Sequence, residues 1–152
     1  MTAKKNLLFV CTGNTCRSPL AKILTESALK AAGVYVWEVD SAGLAAYPGI
    51  TASAEAGFVA REIGLDLTPH RAKPLSAEIL AKAELVLVMT AGHKTALLSG
   101  AGEYAEKIYT VKEYLAMEGD VLDPFGGGLA SYRQTLRELQ KLVNLLVEKL
   151  QE

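Results

Sequence analysis

Cysteine, histidine and net charge are all scarce in this sequence, and each scarcity excludes a class of protein. The 152 residues contain two cysteines and two histidines, with 16 Lys and Arg against 17 Asp and Glu. Two cysteines cannot build a disulfide scaffold. The histidines have no Cys or His near them in sequence, which argues against a zinc site, and we expect neither a metal nor a cofactor. A net charge of -1 argues against a nucleic-acid or membrane-surface binder.

Long apolar runs are missing as well. No stretch approaches the length of a transmembrane helix, and the apolar run at 7–10 is too short for the core of a signal peptide. We therefore expect a cytoplasmic protein, in which Cys11 and Cys16 are reactive, metal-binding or core thiols rather than a structural bridge. The length predicts a single domain over residues 1–152, with enough apolar residues for a hydrophobic core.

Strand and helix patterns alternate along the chain. Short apolar runs predict strands, and apolar residues spaced by three and four predict helices. Alternation of this kind predicts an α/β fold, in which a parallel sheet has helices on both faces. Residues 118–128 contain four glycines and a proline, and we expect a surface loop there, beside the strand ends. The predicted elements are strand 7–10, helix 18–32, strand 34–39 (ended by Ser41-Ala42-Gly43), helix 53–63, strand 85–89, helix 91–98, strand 108–111 and helix 132–150.

The segment after the first strand has the composition of an anion-binding loop. Ligands of doubly wound sheets bind at the carboxyl ends of strands. Here, turn-prone residues follow Cys11 and lead into a helix that starts at Ser18-Pro19. Backbone N–H groups can surround an anion, with Gly13 at positive φ, while the helix N-terminus and the planar guanidinium of Arg17 add positive charge. The predicted phosphate-binding residues are Thr12, Gly13, Asn14, Thr15, Cys16, Arg17 and Ser18.

Cys11 is the predicted nucleophile of this loop. The positive field favours its thiolate form, and Ser18 can donate a hydrogen bond to that thiolate. Attack of sulfur on phosphorus gives a cysteinyl-phosphate, which water then hydrolyses. The alternative is a buried Cys that only fills space at a strand end. The strand before Cys11, the turn after it and the helix that follows favour the catalytic interpretation.

Residues 11–19 (CTGNTCRSP) resemble the nucleophile loop of the low-molecular-weight protein tyrosine phosphatases. The resemblance covers essentially the whole chain, with matches at Ser41-Ala42-Gly43, His70-Arg71-Ala72 and Asp123-Pro124. It implies a four-stranded parallel sheet, Rossmann-like, with helices on both faces. It also implies a phosphatase whose partners are phosphorylated proteins, and we expect this enzyme to act as a monomer.

Further site residues follow from the resemblance. Asp123 matches the general acid of the family, which is consistent with the need to protonate the leaving group. An Asp before Pro is also a common turn residue. Asn14, Ser18, Ser41 and His70 resemble the hydrogen-bonded network that supports the phosphate loop. The other histidine, His93, is assigned no role.

Thr15 and Phe125 bear on the choice of substrate. Tyrosine-directed members usually carry Ile or Leu at the position of Thr15 and more aromatic residues after the general acid, whereas here Phe125 is followed by three glycines. Both features are similar to the protein-arginine phosphatases of the family. A guanidinium needs acceptors and an aromatic face, which Thr15, Asp123 and Phe125 can supply. The sequence therefore predicts hydrolysis of phosphoarginine in proteins.

Three other functions stay open at this point. A tyrosine phosphatase of the same fold would use the same nucleophile. A thioredoxin-coupled arsenate reductase needs cysteines further along the chain, and none follows Cys16. A phosphate-binding module without catalysis would need neither Cys11 nor Asp123.

Cys11 and Cys16 are also a predicted redox pair. Peroxide oxidises thiolates most readily, and a Cys11–Cys16 disulfide would protect Cys11 from irreversible oxidation. The alternative is that Cys16 only packs beneath the loop.

Overall fold

The computed structural model describes residues 4–152 and shows an alternation of strands and helices. The strands are β1 Lys5–Cys11, β2 Trp37–Gly43, β3 Leu85–Val88 and β4 Ile108–Thr110. The helices are α1 Arg17–Ala31, α2 Ala54–Glu62, α3 Ala77–Lys82, α4 Ala91–Ala101, α5 Val111–Tyr114 and α6 Gly128–Leu150, with a 3₁₀ turn at Gly102–Lys107. In the described part of the chain the four strands form one parallel sheet in the order β2-β1-β3-β4. The predicted α/β fold with a four-stranded parallel sheet is confirmed.

Helices cover both faces of the sheet because the strands are apolar on both faces. Successive side chains of a strand point to opposite sides. Leu7 and Phe9 of β1 belong to a core cluster with residues of α1, α2 and α6, whereas Leu8 and Val10 belong to a second cluster with residues of α3 and α4. A central parallel strand buried on both faces is therefore a continuous apolar run, which is the pattern that predicted β1.

The second strand is present, but its bounds differ from the predicted 34–39. The structure starts β2 at Trp37 and continues it through the Ser41-Ala42-Gly43 segment that was expected to end it. These three small residues pair with the last three residues of β1. Gly43 has to be small, because a Cβ atom there would lie 2.7 Å from the carbonyl oxygen of Thr12. At Gly43 the strand end passes so close to the phosphate loop that a β-branched residue, the usual signal for a strand, is excluded.

Other differences concern short elements and element ends. The six-residue α3 was not predicted, because it buries only Leu80 and so has no apolar stripe. Helix α4 extends past residue 98 to Ala101, and α6 begins at Gly128. The strand predicted at 108–111 ends at Thr110, whose side chain caps α5. No helix within residues 4–152 has the length and apolar character needed to cross a membrane.

Candidate active site

The phosphate loop, residues 11–18, lies at the middle of the carboxyl edge of the sheet. Strand β1 is paired with β2 on one side and with β3 on the other, so neighbours flank the loop on both sides. The loop passes directly into α1, whose first residue is Arg17. The predicted phosphate-binding residues thus lie at the N-terminus of a 15-residue helix, where backbone N–H groups and the helix dipole favour an anion.

The side chain of Asn14 sets the direction of the hydrogen bonds around Cys11. Its amide donates to Ser18 Oγ at 2.8 Å and to Ser41 Oγ at 3.0 Å, and its Oδ1 accepts from the backbone N–H of Lys73 at 3.0 Å. Because Ser18 Oγ accepts from Asn14, its own hydrogen is available to Cys11 Sγ, 2.9 Å away. Ser18 can therefore donate to the thiolate of Cys11, which is the geometry that its predicted role requires.

The positive φ of the loop belongs to Asn14 and not, as predicted, to Gly13. Asn14 has φ 56°, whereas the φ of Gly13 lies outside the left-handed region. A left-handed conformation costs an L residue on the order of 1 kcal/mol, and Asn tolerates it because its side chain bonds locally. Here the amide of Asn14 is fully buried and paired, and its backbone carbonyl accepts from His70 Nε2 at 2.6 Å. These bonds hold the loop in a shape that glycine would adopt less firmly.

His70 supports the loop from outside as a neutral ring. A carbonyl oxygen only accepts, so the proton of the ring lies on Nε2. Burial lowers the pKa of His70, and Lys22 acts in the same direction, against the opposing effects of the Asn14 hydrogen bond and Asp40. The segment that contains His70 is itself tied to β2, because Lys73 forms an ion pair with Asp40. The structure thus brings Asn14 together with each of the predicted loop-supporting residues.

Arg17 connects the phosphate loop to the acid loop, which we define as residues 115–127. Its side chain is buried, and Nη1 donates to the carbonyl oxygen of Val121 at 3.0 Å. Its Nη2 lies 3.8 Å from Asp123 Oδ2. The acid loop is held beside the sheet by the backbone bond from Val121 N–H to the carbonyl of Met89. The predicted nucleophile loop and the predicted general acid are therefore adjacent, although they are more than 100 residues apart in sequence.

The end of the acid loop is exposed. The Asp123 side chain is 57% exposed, and its Oδ1 accepts from the backbone N–H of Phe125 in a local turn. Phe125 is 84% exposed, which excludes a role as a packed anchor of the loop. Thr15 is half-buried, and its hydroxyl has no hydrogen-bond partner among residues 4–152, while its carbonyl accepts from Ser53 N–H at 2.9 Å. Both predicted selectivity residues therefore have side-chain groups free to contact a substrate.

Cys16 differs from Cys11 in its surroundings. Both thiols are free and buried. Burial raises the pKa of Cys16 above its ordinary range, the neighbouring Cys11 and Asp123 raise it further, and Arg17 only partly opposes them. Cys16 is therefore a protonated thiol at neutral pH. Among the residues that the structure describes, no group of three or more His, Cys, Asp or Glu side chains is placed to hold a metal ion.

Two contacts of the site were missed by the sequence analysis. Gly43 lies against the loop, with a hypothetical Cβ 3.0 Å from the backbone nitrogen of Asn14 as well as 2.7 Å from the oxygen of Thr12. A glycine at a strand end, within a motif already noted, was the signal available. His93, the histidine without an assigned role, has Nε2 2.9 Å from Thr12 Oγ1. No local pattern indicates that contact, because the two residues are 81 positions apart.

Comparison with known proteins places the chain in a family. Residues 6–152 match the family described as "Low molecular weight phosphotyrosine protein phosphatase". The protein-arginine-phosphatase of Bacillus subtilis (strain 168) is 43% identical over 148 residues, which is 97% of each chain. A solved structure of the YwlE arginine phosphatase, with a phosphorylated active-site serine, has a TM-score of 0.93 at 41% identity and covers 97% of this chain and 96% of its own.

A further structure shows that overall similarity does not separate substrates. The low molecular weight protein tyrosine phosphatase from T. tengcongensis is 48% identical, with a TM-score of 0.91, and covers 96% of this chain and 99% of its own. Relatives with either substrate in their names therefore share this fold. The match to the family extends over almost the whole chain, including both loops of the site. The chain belongs to the low molecular weight phosphotyrosine protein phosphatase family.

Proposed function

We propose that this enzyme hydrolyses phosphoarginine residues of proteins through a cysteinyl-phosphate on Cys11. The observation that carries the proposal is the polar, open side of the site, where the Thr15 hydroxyl has no hydrogen-bond partner within residues 4–152 and Phe125 offers one exposed aromatic face. A slot that fits a phenol ring is apolar, and it would not present a hydroxyl acceptor like that of Thr15. The relatives named protein-arginine-phosphatase support the same substrate class.

In the first step, the Cys11 thiolate attacks phosphorus and the P–N bond to the guanidine breaks. Ser18 donates to the thiolate, and Arg17 with the loop N–H groups binds the phosphoryl oxygens, whose charge grows in the transition state. The departing nitrogen needs a proton, and Asp123 supplies it from the exposed side of the site. The products of this step are an arginine side chain, which leaves as a guanidinium, and a phosphorylated Cys11.

In the second step, water attacks phosphorus and the S–P bond breaks. The carboxylate of Asp123, formed when its proton was transferred, accepts a proton from that water. Phosphate leaves, and the Cys11 thiolate is restored with Ser18 as its hydrogen-bond donor. The 3.8 Å separation between Asp123 and Arg17 is long for a direct bond, so the carboxyl remains available for both proton transfers.

The remaining expectations from the sequence belong to the same proposal. The enzyme acts as a single-domain monomer in the cytoplasm, without cofactor, metal, nucleic acid or membrane. Its near-zero net charge supports the absence of nucleic-acid and membrane partners. Sedimentation of the purified protein at several concentrations tests the monomer directly.

Competing substrates test the proposed specificity. Two peptides of identical sequence, one with phosphoarginine and one with phosphotyrosine, are compared by kcat/KM at matched concentrations. We expect a preference for phosphoarginine of about tenfold or more, the size of effect that one well-placed polar contact produces. A preference for phosphotyrosine would make the enzyme a tyrosine phosphatase, and no turnover of either peptide would overturn the assignment as a protein phosphatase.

A further inference from the structure

His93 lies where α4, the phosphate loop and the acid loop meet. It is the third residue of α4, and its backbone N–H donates to Oγ1 of Thr90, the N-cap of that helix. Its side chain is buried, and Nε2 lies 2.9 Å from the hydroxyl oxygen of Thr12, the residue after the nucleophile. The same helix start contacts the acid loop, because Ala91 N–H donates to Asp120 Oδ1 at 2.9 Å. No step of the proposed mechanism uses His93.

The surroundings of the His93 ring determine which of its two nitrogens carries the hydrogen. Nδ1 is buried and has no hydrogen-bond partner within residues 4–152, so a hydrogen on Nδ1 would be a buried donor without an acceptor. Buried N–H groups without a partner are rarer in proteins than unpaired acceptors, which favours the tautomer with the proton on Nε2. In that tautomer His93 donates to Thr12 Oγ1. The hydroxyl hydrogen of Thr12 is then free to point elsewhere.

A charged His93 would disturb this arrangement. An imidazolium has two N–H donors, and in the described part of the chain only Thr12 is placed to accept from one of them. Burial lowers the pKa of His93, Arg17 lowers it further, and Asp120 and Asp123 act in the opposite direction. The N-terminus of α4 also disfavours a cation. His93 is therefore a neutral donor and not a second acid of the reaction.

We propose that His93 is a positioning residue that orients the Thr12 hydroxyl as a donor toward an oxygen of the bound phosphorylated substrate. Thr12 is exposed and directly follows Cys11, so its freed hydrogen is available to a ligand bound beside Cys11. The inference deepens the proposed function and rests on it, since it needs a phosphoryl-transfer reaction at Cys11. It does not depend on which phosphorylated residue is the substrate.

Paired variants of His93 test the hydrogen bond rather than the bulk of the ring. Gln can place its Nε2 donor near the position of the imidazole Nε2, whereas Asn is too short and Leu has no donor. With p-nitrophenyl phosphate as substrate, we expect His93→Leu and His93→Asn to lose about three- to tenfold in kcat/KM, the effect of one hydrogen bond, and His93→Gln to stay within about twofold of wild type. Thr95→Val, at an exposed position of the same helix, is the matched control for effects of α4 as a whole.

A double-mutant cycle with Thr12 gives the second measurement. We expect Thr12→Val to lose as much as His93→Leu, Thr12→Ser to keep most of the activity, and the Thr12→Val, His93→Leu double variant to be no worse than either single variant. Losses that multiply in the double variant, or equal activity of the Gln and Asn variants, would overturn the proposal. If His93→Leu does not fold, the Gln and Asn pair still decides it.

The choice of substrate keeps the two proposals apart. Failure of the wild type on the phosphoarginine peptide, with turnover of p-nitrophenyl phosphate, would overturn the proposed specificity and leave the role of His93 intact. Wild-type kinetics in every His93 variant would overturn the role of His93 and leave the specificity intact.

Discussion

In the phosphate loop the side chains of Asn14 and Ser18 are fully buried and hydrogen-bonded, whereas in the acid loop Asp123 is 57% and Phe125 is 84% exposed. In the proposed mechanism the first loop binds the phosphoryl group, which every substrate of the family shares. The second loop faces the leaving group, which differs between substrates. Rigid packing suits the constant part and exposure suits the variable part, because buried donors stabilise a transition state without reorganising. Arg17 links the two loops, because it is a buried residue of the phosphate loop whose side chain donates to the carbonyl of Val121 in the acid loop.

The largest effect is expected at the nucleophile. Cys11→Ser should reduce turnover to the background rate while phosphate or vanadate still binds, since the loop N–H groups and Arg17 remain. Arg17→Lys should lose about a hundredfold or more in kcat, because a point charge replaces a planar fork. Steady-state kinetics measures the turnover of the two variants, and vanadate titration measures their anion binding. Cys16→Ser is the control for removal of a thiol. Substantial turnover by Cys11→Ser would refute the cysteinyl-phosphate mechanism.

In the acid loop, Asp123→Asn removes the proton donor and should leave the phosphate loop unchanged. We expect a loss of about 10²- to 10⁴-fold in the rate of Cys11 phosphorylation with a phosphoarginine peptide, the usual contribution of a general acid. With an activated aryl phosphate, whose leaving group needs no proton, the loss should be much smaller. Rapid-quench measurement of the first turnover gives the rate of Cys11 phosphorylation for each of the two substrates. An equal loss on both would show that Asp123 has a different role.

Thr15→Ile tests whether the phosphate loop also contributes to selectivity. Both side chains are β-branched, so the backbone should be kept, and the Ser53 N–H bond to the carbonyl of residue 15 does not involve the side chain. A guanidinium donor that met the hydroxyl would then face hydrocarbon, at a cost of about 1–3 kcal/mol, or roughly ten- to a hundredfold in selectivity. The ratio of kcat/KM for phosphoarginine and phosphotyrosine peptides measures it, with Thr51→Ile as an exposed control.

In the Thr15→Ile variant we expect phosphoarginine turnover to fall and phosphotyrosine turnover to rise. The aryl ring would gain an apolar contact from the added ethyl group, whereas the guanidinium would lose an acceptor. If turnover of both peptides fell together, Thr15 would support the loop without contacting the leaving group.

A smaller and reversible loss of activity is expected when peroxide oxidises the two cysteines of the phosphate loop. Peroxide converts the Cys11 thiolate to a sulfenic acid, and attack by Cys16 would release water and form a disulfide. The raised pKa of Cys16 makes that second step slow at neutral pH and faster in mildly alkaline solution. We expect wild type to recover more fully than Cys16→Ser when thiol is added after peroxide, with the difference growing as pH rises. Equal recovery at every pH would mean that Cys16 only packs beneath the loop.

The residue pattern alone predicted the parts of this site that lie close together in sequence, whereas Ser41, His70 and Asp123 were predicted only through the resemblance to the family. Cys11, Ser18 and Arg17 lie in one strand-loop-helix segment, so their spacing alone places them together. The parts that it missed depend on packing between distant segments. Thr12 meets His93, and Asn14 meets the backbone of Lys73, only because the carboxyl ends of adjacent strands share an edge.

Prediction of the local backbone conformation from the sequence is limited in a similar way. The rule that glycine takes positive φ indicated Gly13, yet the loop places Asn14 there, since four hydrogen bonds, three of them to distant residues, compensate for the strain. Likewise β2 runs through small residues that no strand pattern predicts, because Gly43 lies against the loop. In both cases tertiary contacts override the local preference.

The smallest expected effect is a pH dependence of the free energy of unfolding, which arises from the two histidines beside the phosphate loop. Burial lowers the pKa of His70 and of His93 below the ordinary 6.5, so the unfolded chain binds protons first as pH falls. Their contribution to the free energy of unfolding is therefore complete above about pH 6.5 and decreases below it. The raised pKa of Glu26 acts in the opposite sense, since its contribution is lost as pH rises.

His70→Gln separates this effect from other titrations. A Gln side chain can still donate to the carbonyl of Asn14 but does not titrate, and Glu26 is common to both proteins, so its contribution cancels in the difference. We expect the Tm of wild type to fall more steeply than that of His70→Gln between about pH 7 and about pH 5, and the two curves to run parallel above that range. Parallel curves throughout would mean that protonated His70 is accommodated without loss. The bond from Nε2 to the carbonyl of Asn14 would then persist in the charged ring, and the support of the loop would not depend on the neutral form of His70.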